Sequence, residues 1–347
     1  MTEASGRIKS VDIFRGLTIA LMILVNNPGN WDTAFAPLRH APWNGLTPTD
    51  CVFPFFLFIM GVSMFLSLRK SGFRLSWRVL RRTLLLFAVG LTLNYIGGVV
   101  FGGDWAASHL RIMGVLQRFA LCYGITAVIV ATVDHKWLRW IAAGLLVGYS
   151  VLLLAGNGYC YGTDNILSRV DFAVFGEKHL YSDGGIEPEG LLSTIPAIAH
   201  TIIGFLVGKM LVEGDLRKMD VAGWAMVMGG FLLMYALPIN KKVWSPTFVL
   251  VTTGAATLIL SLIHYLADEK GVWKRTGFFM TFGSNAIFCY VLSDIVAWTF
   301  IGTGLQRKVM GLLPEGPASS LLWALGCILV VYLLALPLWK KKIYIKL

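Results

Sequence analysis

The 347-residue chain predicts an all-α, polytopic membrane protein of about ten transmembrane helices with both termini cytoplasmic. Three observations carry that prediction. Hydrophobic residues make up 56% of the chain and charged residues 14%, whereas a soluble domain holds about 25% charged residues to cover its surface. Apolar runs of roughly 18 to 23 residues recur throughout, each long enough to cross about 30 Å of hydrocarbon as a helix. The lysines and arginines also divide unevenly between alternate loops.

Taken in order, the spans fall at about 11–27, 49–68, 79–98, 112–133, 139–155, 191–212, 221–238, 247–267, 277–300 and 318–339. No small-residue cleavage site follows the first apolar run, so it is expected to remain as a span. Of 30 basic residues, 20 lie in segments on the side of the termini, from Arg7 and Lys9 to Lys340, Lys341, Lys342 and Lys346. The opposite loops hold eight, and Arg15 and Arg118 fall within spans. Basic loops stay cytoplasmic, so the loop around His40 and the long 156–190 loop are expected to face outward. The net charge of +11 is largely this bias and not a nucleic-acid signal. Of the five cysteines only Cys160 lies in an outward loop, so no outward disulfide can form within one chain. Nothing marks a soluble domain or repeat, and residues 1–347 are read as one membrane domain.

An ionisable group inside a span is expensive unless partnered, which makes each one a functional candidate. In the first span Asp12, Arg15, Ile19, Met22 and Asn26 are spaced 3, 4, 3 and 4, along one helix face. Arg15 and Asn26 stand roughly 16 Å apart by the helical rise. A plainer reading pairs Asp12 with Arg15 as an interfacial clamp. Asp50 opens the second span, where an N-terminal cap is the ordinary role for such a residue. Arg118, beside Gln117 in the fourth span, needs a carboxylate or carbonyls, and Asp294 in the ninth span lies at a similar depth. Ser284-Asn285 adds polarity to the inner half of that span.

Histidine chemistry is best placed at His40. It sits in the polar stretch Arg39-His40-Ala41-Pro42-Trp43-Asn44-Gly45-Leu46-Thr47-Pro48-Thr49-Asp50 between two apolar segments. His109, His135 and His179 lie in turns or loops. His200 and His264 lie in spans, where a lone histidine more often packs than reacts. No HExxH, CxxC or clustered carboxylate spacing suggests a metal, and no Walker-type or GxGxxG loop suggests a nucleotide fold.

The segments Ser10-Val11-Asp12-Ile13-Phe14-Arg15-Gly16-Leu17-Thr18, Val25-Asn26, His40 with Trp43-Asn44-Gly45-Leu46-Thr47 and Asp50, and Phe53-Pro54 form a pattern. It resembles the transmembrane catalytic domain of the heparan-α-glucosaminide N-acetyltransferase family. Matches continue through Arg111-Ile112-Met113-Gly114-Val115-Leu116-Gln117-Arg118, Pro188-Glu189-Gly190-Leu191, Asn240-Lys241 with Trp244, and Gly283 with Asn285. The resemblance covers nearly the whole chain. No large domain precedes the first span, as one does in the animal lysosomal enzymes, so a large polymeric acceptor is not expected.

What the resemblance implies is transfer of acetyl from cytosolic acetyl-CoA to the amine of glucosamine, or a terminal glucosamine, on the far side of the membrane. Arg15 and Asp12, Arg78 and Arg82, and Ser284 and Asn285 are the candidate acetyl-CoA-binding residues, the cations serving its phosphates. Asn26 would donate to the thioester oxygen. His40 would act as general base or as a nucleophile forming an acetyl-imidazole, with Asp50 either orienting it or binding the amino-sugar cation. Trp43, Asn44, Arg118, Asp294, Glu189 and Lys241 are the candidate acceptor-binding residues. Acids outnumber bases in the 156–190 loop (Asp164, Asp171, Glu177, Asp183, Glu187 and Glu189 against Arg169 and Lys178), which suits a cationic amino sugar and equally a solvated loop. The family forms dimers, so a homodimer surrounded by lipid in a bacterial inner membrane is expected, without metal. Two other readings use the same residues: an amino-sugar permease, whose path would be lined by Asp50, Arg118 and Asp294, and an envelope acyltransferase with another acyl group or acceptor.

Overall fold

The computed structural model describes residues 8–102, 109–181 and 184–345. Arg7, Asp183 and Lys346 therefore lie outside the described residues. Among those described, helices and turns account for the regular structure and there is no strand. The chain divides into two compact units. One combines the chain up to Arg39 with the chain from Thr257 onward, and the other runs from His40 to Ala256.

Within the His40–Ala256 unit lie α2 (Val52–Leu68), α3 (Trp77–Gly102), α4 (Val115–Thr132), α5 (Leu138–Ala155), α6 (Ile166–Phe175), α7 (Thr194–Glu213) and α8 (Leu216–Leu233). α9 (Pro246–His264) begins in this unit and ends in the other. The other unit is built of α1 (Lys9–Asn26), α10 (Gly277–Ser284), α11 (Ala286–Gly302), α12 (Leu305–Leu312) and α13 (Pro317–Lys340).

Among the described residues, seven helices are long and apolar enough to cross a membrane, or eight if the bent pair α10–α11 makes one span. Two expected spans fall short for a compositional reason. α1 carries Lys9, Asp12 and Arg15, and α8 carries Arg217, Lys218 and Asp220, three charges in eighteen residues each. The expected continuous span at 277–300 is broken: α10 and α11 meet at 90°. Gly283, Ser284 and Asn285 are weak helix formers, and the Asn285 side chain does not serve the helix. It donates to Ile343 O at 2.9 Å and accepts from Ile345 N at 2.8 Å, so it holds the C-terminal tail.

Glycines set the tightest helix contacts. In α7 the pair Gly204 and Gly208 forms a GxxxG face against α2. A Cβ at Gly204 would sit 2.3 Å from Phe58 O, and one at Gly61 of α2 would sit 2.2 Å from Thr201 O. Without a hydrophobic driving force between helices in lipid, such backbone approach is what holds them. The other unit repeats the device: Cβ atoms at Gly16 and Gly283 would each come within 1.9 Å of the opposing carbonyl, Phe279 O and Asp12 O. At the start of α1, Ile8 offers no cap. A π-helical turn at Tyr265–Glu269 instead presents Asp268, which accepts from Lys9 N at 3.1 Å and Ser10 N at 2.9 Å.

Because Gly204 has no room for a side chain, Gly204→Leu is expected to lower the thermal stability of the detergent-solubilised protein by about 1–3 kcal/mol or more. Gly148→Leu on α5, where nothing lies within 4 Å, is expected to leave it near wild type. Melting followed by size-exclusion chromatography reads both.

Candidate functional site

The chemistry-bearing residues of the His40–Ala256 unit converge around one buried carboxylate. Pro48–Cys51 forms a 3-10 turn ahead of α2, with Thr47 as its N-cap. Asp50 is therefore not the cap itself. It is the third residue of a capping box, in which its backbone N–H meets the Thr47 hydroxyl while its own Oδ2 takes Thr47 N at 3.0 Å. Oδ2 also accepts from Thr47 Oγ1 at 2.9 Å and Ala41 N at 3.2 Å. Oδ1 is left for His40 Nδ1 at 2.7 Å. Asp50 is fully buried, while the His40 side chain is 41% exposed. A carboxylate can only accept, so Nδ1 carries the hydrogen, which in the neutral ring leaves the lone pair on Nε2.

Lys241 completes the group. Its Nζ lies 3.3 Å from His40 Nε2, 3.0 Å from Nδ1 and 3.7 Å from Asp50 Oδ1. Burial holds the Lys241 ammonium below the usual lysine range, with Asp50 and Glu189 opposing that shift. The loop that carries it is fixed to the His40 loop at two further points. Asn240 Nδ2 donates to Asn44 Oδ1 at 3.0 Å, and Gly45 N donates to Ile239 O at 2.8 Å. The sequence signals Lys241 only through the Asn240-Lys241 motif, since 201 residues separate it from His40.

Trp43 is half-buried. It donates from Nε1 to Tyr159 O at 2.9 Å and meets Tyr161 edge-on at 5.1 Å, packed against the cluster of Tyr149, Leu153, Leu167 and Val243. One face is thus committed to structure.

Two acids of the 156–190 loop, Glu187 and Glu189, are committed to an arginine and are not free for a cationic substrate. Arg111 binds Glu187 through two nitrogens and reaches Glu189 at 2.6 Å. Burial would raise the Glu189 carboxyl, but Arg111, Arg118 and Lys241 outweigh it and hold the group low. Arg118 is fully buried. Its hydrogen bonds go to Gly190 O at 3.1 Å and to Ser193 Oγ, and its guanidinium lies 5.0 Å over the Trp244 ring. The partner expected for it, Asp294, belongs to the other unit; in this unit the carbonyl and the hydroxyl both take Nη2, while Nε and Nη1 are buried with no hydrogen-bond partner among the described residues. Glycine at 190 has a local reason: its Cβ would fall 2.0 Å from Asp171 Oδ2.

Asp12, Arg15, Asn26, Ser284, Asn285 and Asp294 lie in the unit that contains α1. There Arg15 Nη1 contacts Asp12 Oδ1 at 3.3 Å and Gly283 O at 3.1 Å, so the interfacial clamp is present and reaches α10 as well. Asn26 is the last residue of α1 and is exposed. Arg78 and Arg82 begin α3. Arg78 is exposed, while Arg82 turns its guanidinium over Tyr123 at 4.7 Å. Of the loop histidines, His179 is held structurally, with Nδ1 2.7 Å from Leu110 O.

These features define a multi-pass helical membrane protein with a histidine–carboxylate–lysine group beside a charge-paired loop. The family model for the catalytic region of heparan-alpha-glucosaminide N-acetyltransferase matches residues 7–239, and the chain belongs to that family. The human heparan-alpha-glucosaminide N-acetyltransferase is 29% identical over 98% of this chain and 60% of its own length. The mouse protein is 28% identical over 99% of this chain and 61% of its own. The chain thus spans about three fifths of the length of these curated relatives. A uracil permease of Bacillus caldolyticus is 21% identical over 62% of this chain and 52% of the permease.

Asp171 Oδ2 is buried without a hydrogen-bond partner, and burial pushes the Asp171 carboxyl up to about 6. A raised folded value means that the native state binds the extra proton, so stability falls as pH rises from about 4 through about 6. Asp171→Asn is expected to flatten that slope and to be the more stable form at pH 7, by about 2–3 kcal/mol at most. Melting curves of both proteins between pH 4 and 7 test it.

Proposed function

We propose that the chain is a transmembrane acetyltransferase that moves acetyl from acetyl-CoA to the amine of glucosamine or of a terminal glucosamine. Membership in the family supports the reaction class. The single observation that carries the site is the 2.7 Å bond from His40 to the fully buried Asp50. Asp50 fixes the tautomer and stabilises the imidazolium that forms when Nε2 takes a proton. Nε2 is then either the base that deprotonates the attacking amine or the nucleophile that carries acetyl from the thioester to it; the same residues serve both routes. Lys241 stands where it can protonate the departing CoA thiolate or receive the amine's proton, and its lowered affinity for protons suits that exchange.

The donor would enter from the cytoplasm, with both termini on that side of a bacterial inner membrane. Within the His40–Ala256 unit, Arg82 is the cation we assign to its phosphates. Asn44 and the solvent-facing side of Trp43 are left for the sugar. A second reading, an amino-sugar permease, draws on the likeness to the uracil permease and on the 90° break between α10 and α11.

The test mixes the purified full chain in detergent with acetyl-CoA and glucosamine and follows free CoA and N-acetylglucosamine by mass spectrometry. Wild type is expected to turn over, and a folded His40→Ala protein to lose about 10²–10⁴ in rate. No turnover by wild type, together with glucosamine uptake into vesicles holding it, would favour the permease.

A further inference from the structure

We propose that one end of the His40–Ala256 unit is a binding site for anionic phospholipid headgroups, formed by Lys70, Arg74, Arg78 and Arg81 with Trp77 and Trp140. The proposal is independent of the acetyltransferase reading. Six cations stand within residues 69–82 with no acid among them. Lys70, Arg74, Arg78 and Arg81 are exposed, as are Trp77 (70%) and Trp140 (60%).

Helix geometry says which way these cations point. Trp77, Arg81, Leu84 and Ala88 follow at spacings of 4, 3 and 4, and all four are exposed. Arg81 therefore sits on a stripe of α3 that continues into bare apolar surface, the face a membrane helix turns to hydrocarbon. α5 repeats the pattern with Trp140, Gly144, Val147, Val151 and Leu154, all exposed, and Arg139 lies 5.3 Å over Trp140. A cation and a tryptophan at the end of a lipid-facing stripe stand at headgroup depth. Arg82, one residue on, turns inward over Tyr123. Cations meant for a nucleotide held among the helices should point the way Arg82 does; Arg81 does not.

The turn that carries Lys70 and Arg74 is tied to the α4–α5 turn. Phe73 adopts a left-handed backbone, φ +58°, that a residue with a side chain rarely takes. Its ring then packs 4.4 Å from His135, 5.6 Å from Phe65 and 5.9 Å from Phe205. The basic turn is thereby pinned to the α4–α5 turn, and its guanidinium groups are presented from a fixed base. Guanidinium groups bind phosphate oxygens through paired hydrogen bonds. A zwitterionic headgroup brings its own cation into the cluster, whereas an anionic one does not, so the site should prefer the anionic lipid.

Native mass spectrometry of the delipidated full chain, titrated separately with palmitoyl-oleoyl phosphatidylglycerol and phosphatidylcholine, tests the assignment. Wild type should retain phosphatidylglycerol over phosphatidylcholine. Arg74→Gln/Arg81→Gln should weaken phosphatidylglycerol binding by about ten-fold or more, taking roughly 1 kcal/mol per cation near the surface. Phosphatidylcholine binding, and acetyl-CoA binding by calorimetry, should be unchanged in that variant, and Lys178→Gln in the exposed outer loop should match wild type. Equal phosphatidylglycerol binding by wild type and the double variant would overturn the proposal. So would loss of acetyl-CoA binding with lipid binding intact, which would return the cluster to the donor.

Discussion

Everything in the His40 site depends on burying the charge of Asp50. An isolated carboxylate removed from water is prohibitively costly, and one surrounded by donors is tolerable. Asp50 collects two backbone N–H groups, a hydroxyl and an imidazole, with the Lys241 ammonium just beyond. Each donor is also a constraint. Ala41 N and Thr47 fold the polar loop back over the start of α2, and that fold aims the imidazole. Replacing any one of them would leave the carboxylate short of a partner and loosen the ring it orients.

The same rule organises the neighbouring loop. Arg111 between Glu187 and Glu189 lets a connection outside the helices bury charge without leaving it unpaired, and Arg118 of α4 ties that connection down through Gly190 O and Ser193. Lys241 feels both centres, Asp50 directly and Glu189 through its field. A cation in the field of two carboxylates, within 3.3 Å of the imidazole Nε2, is an arrangement in which a proton can move with little reorganisation. That economy is what a transfer between a thioester and an amine requires.

The helical class and most helix positions were legible because they follow from local arithmetic. Apolar length gives a span, and Lys/Arg imbalance gives an expected orientation. α1 and α8 show the limit of that arithmetic, since three charges apiece blur the line between a span and a polar helix. The break at Asn285 was hidden for another reason: its side chain bonds to a tail 58 and 60 residues away. The short helix α6 was likewise concealed inside a stretch read as loop.

At the site, spacing alone offered Asp50 only as a helix cap, and its pairing with His40 entered as one of two roles that the family resemblance implied. The clamp between Asp12 and Arg15 was legible from helical spacing alone. Arg111 was not, because its partners lie 76 and 78 residues on, and an excess of acids in the loop pointed toward a cationic ligand instead. Long-range ion pairs carry no spacing signal; only the fold brings them together.

The central claim is that His40 and Asp50 act as one catalytic unit. It is tested most directly by the turnover of His40→Ala, Asp50→Asn and the double variant, each checked for folding and acetyl-CoA binding. The account predicts that either single change removes most of the rate and that the double variant is little worse than His40→Ala, the non-additivity of residues that work together. An Asp50→Asn protein turning over near the wild-type rate, or losses that multiply, would contradict it.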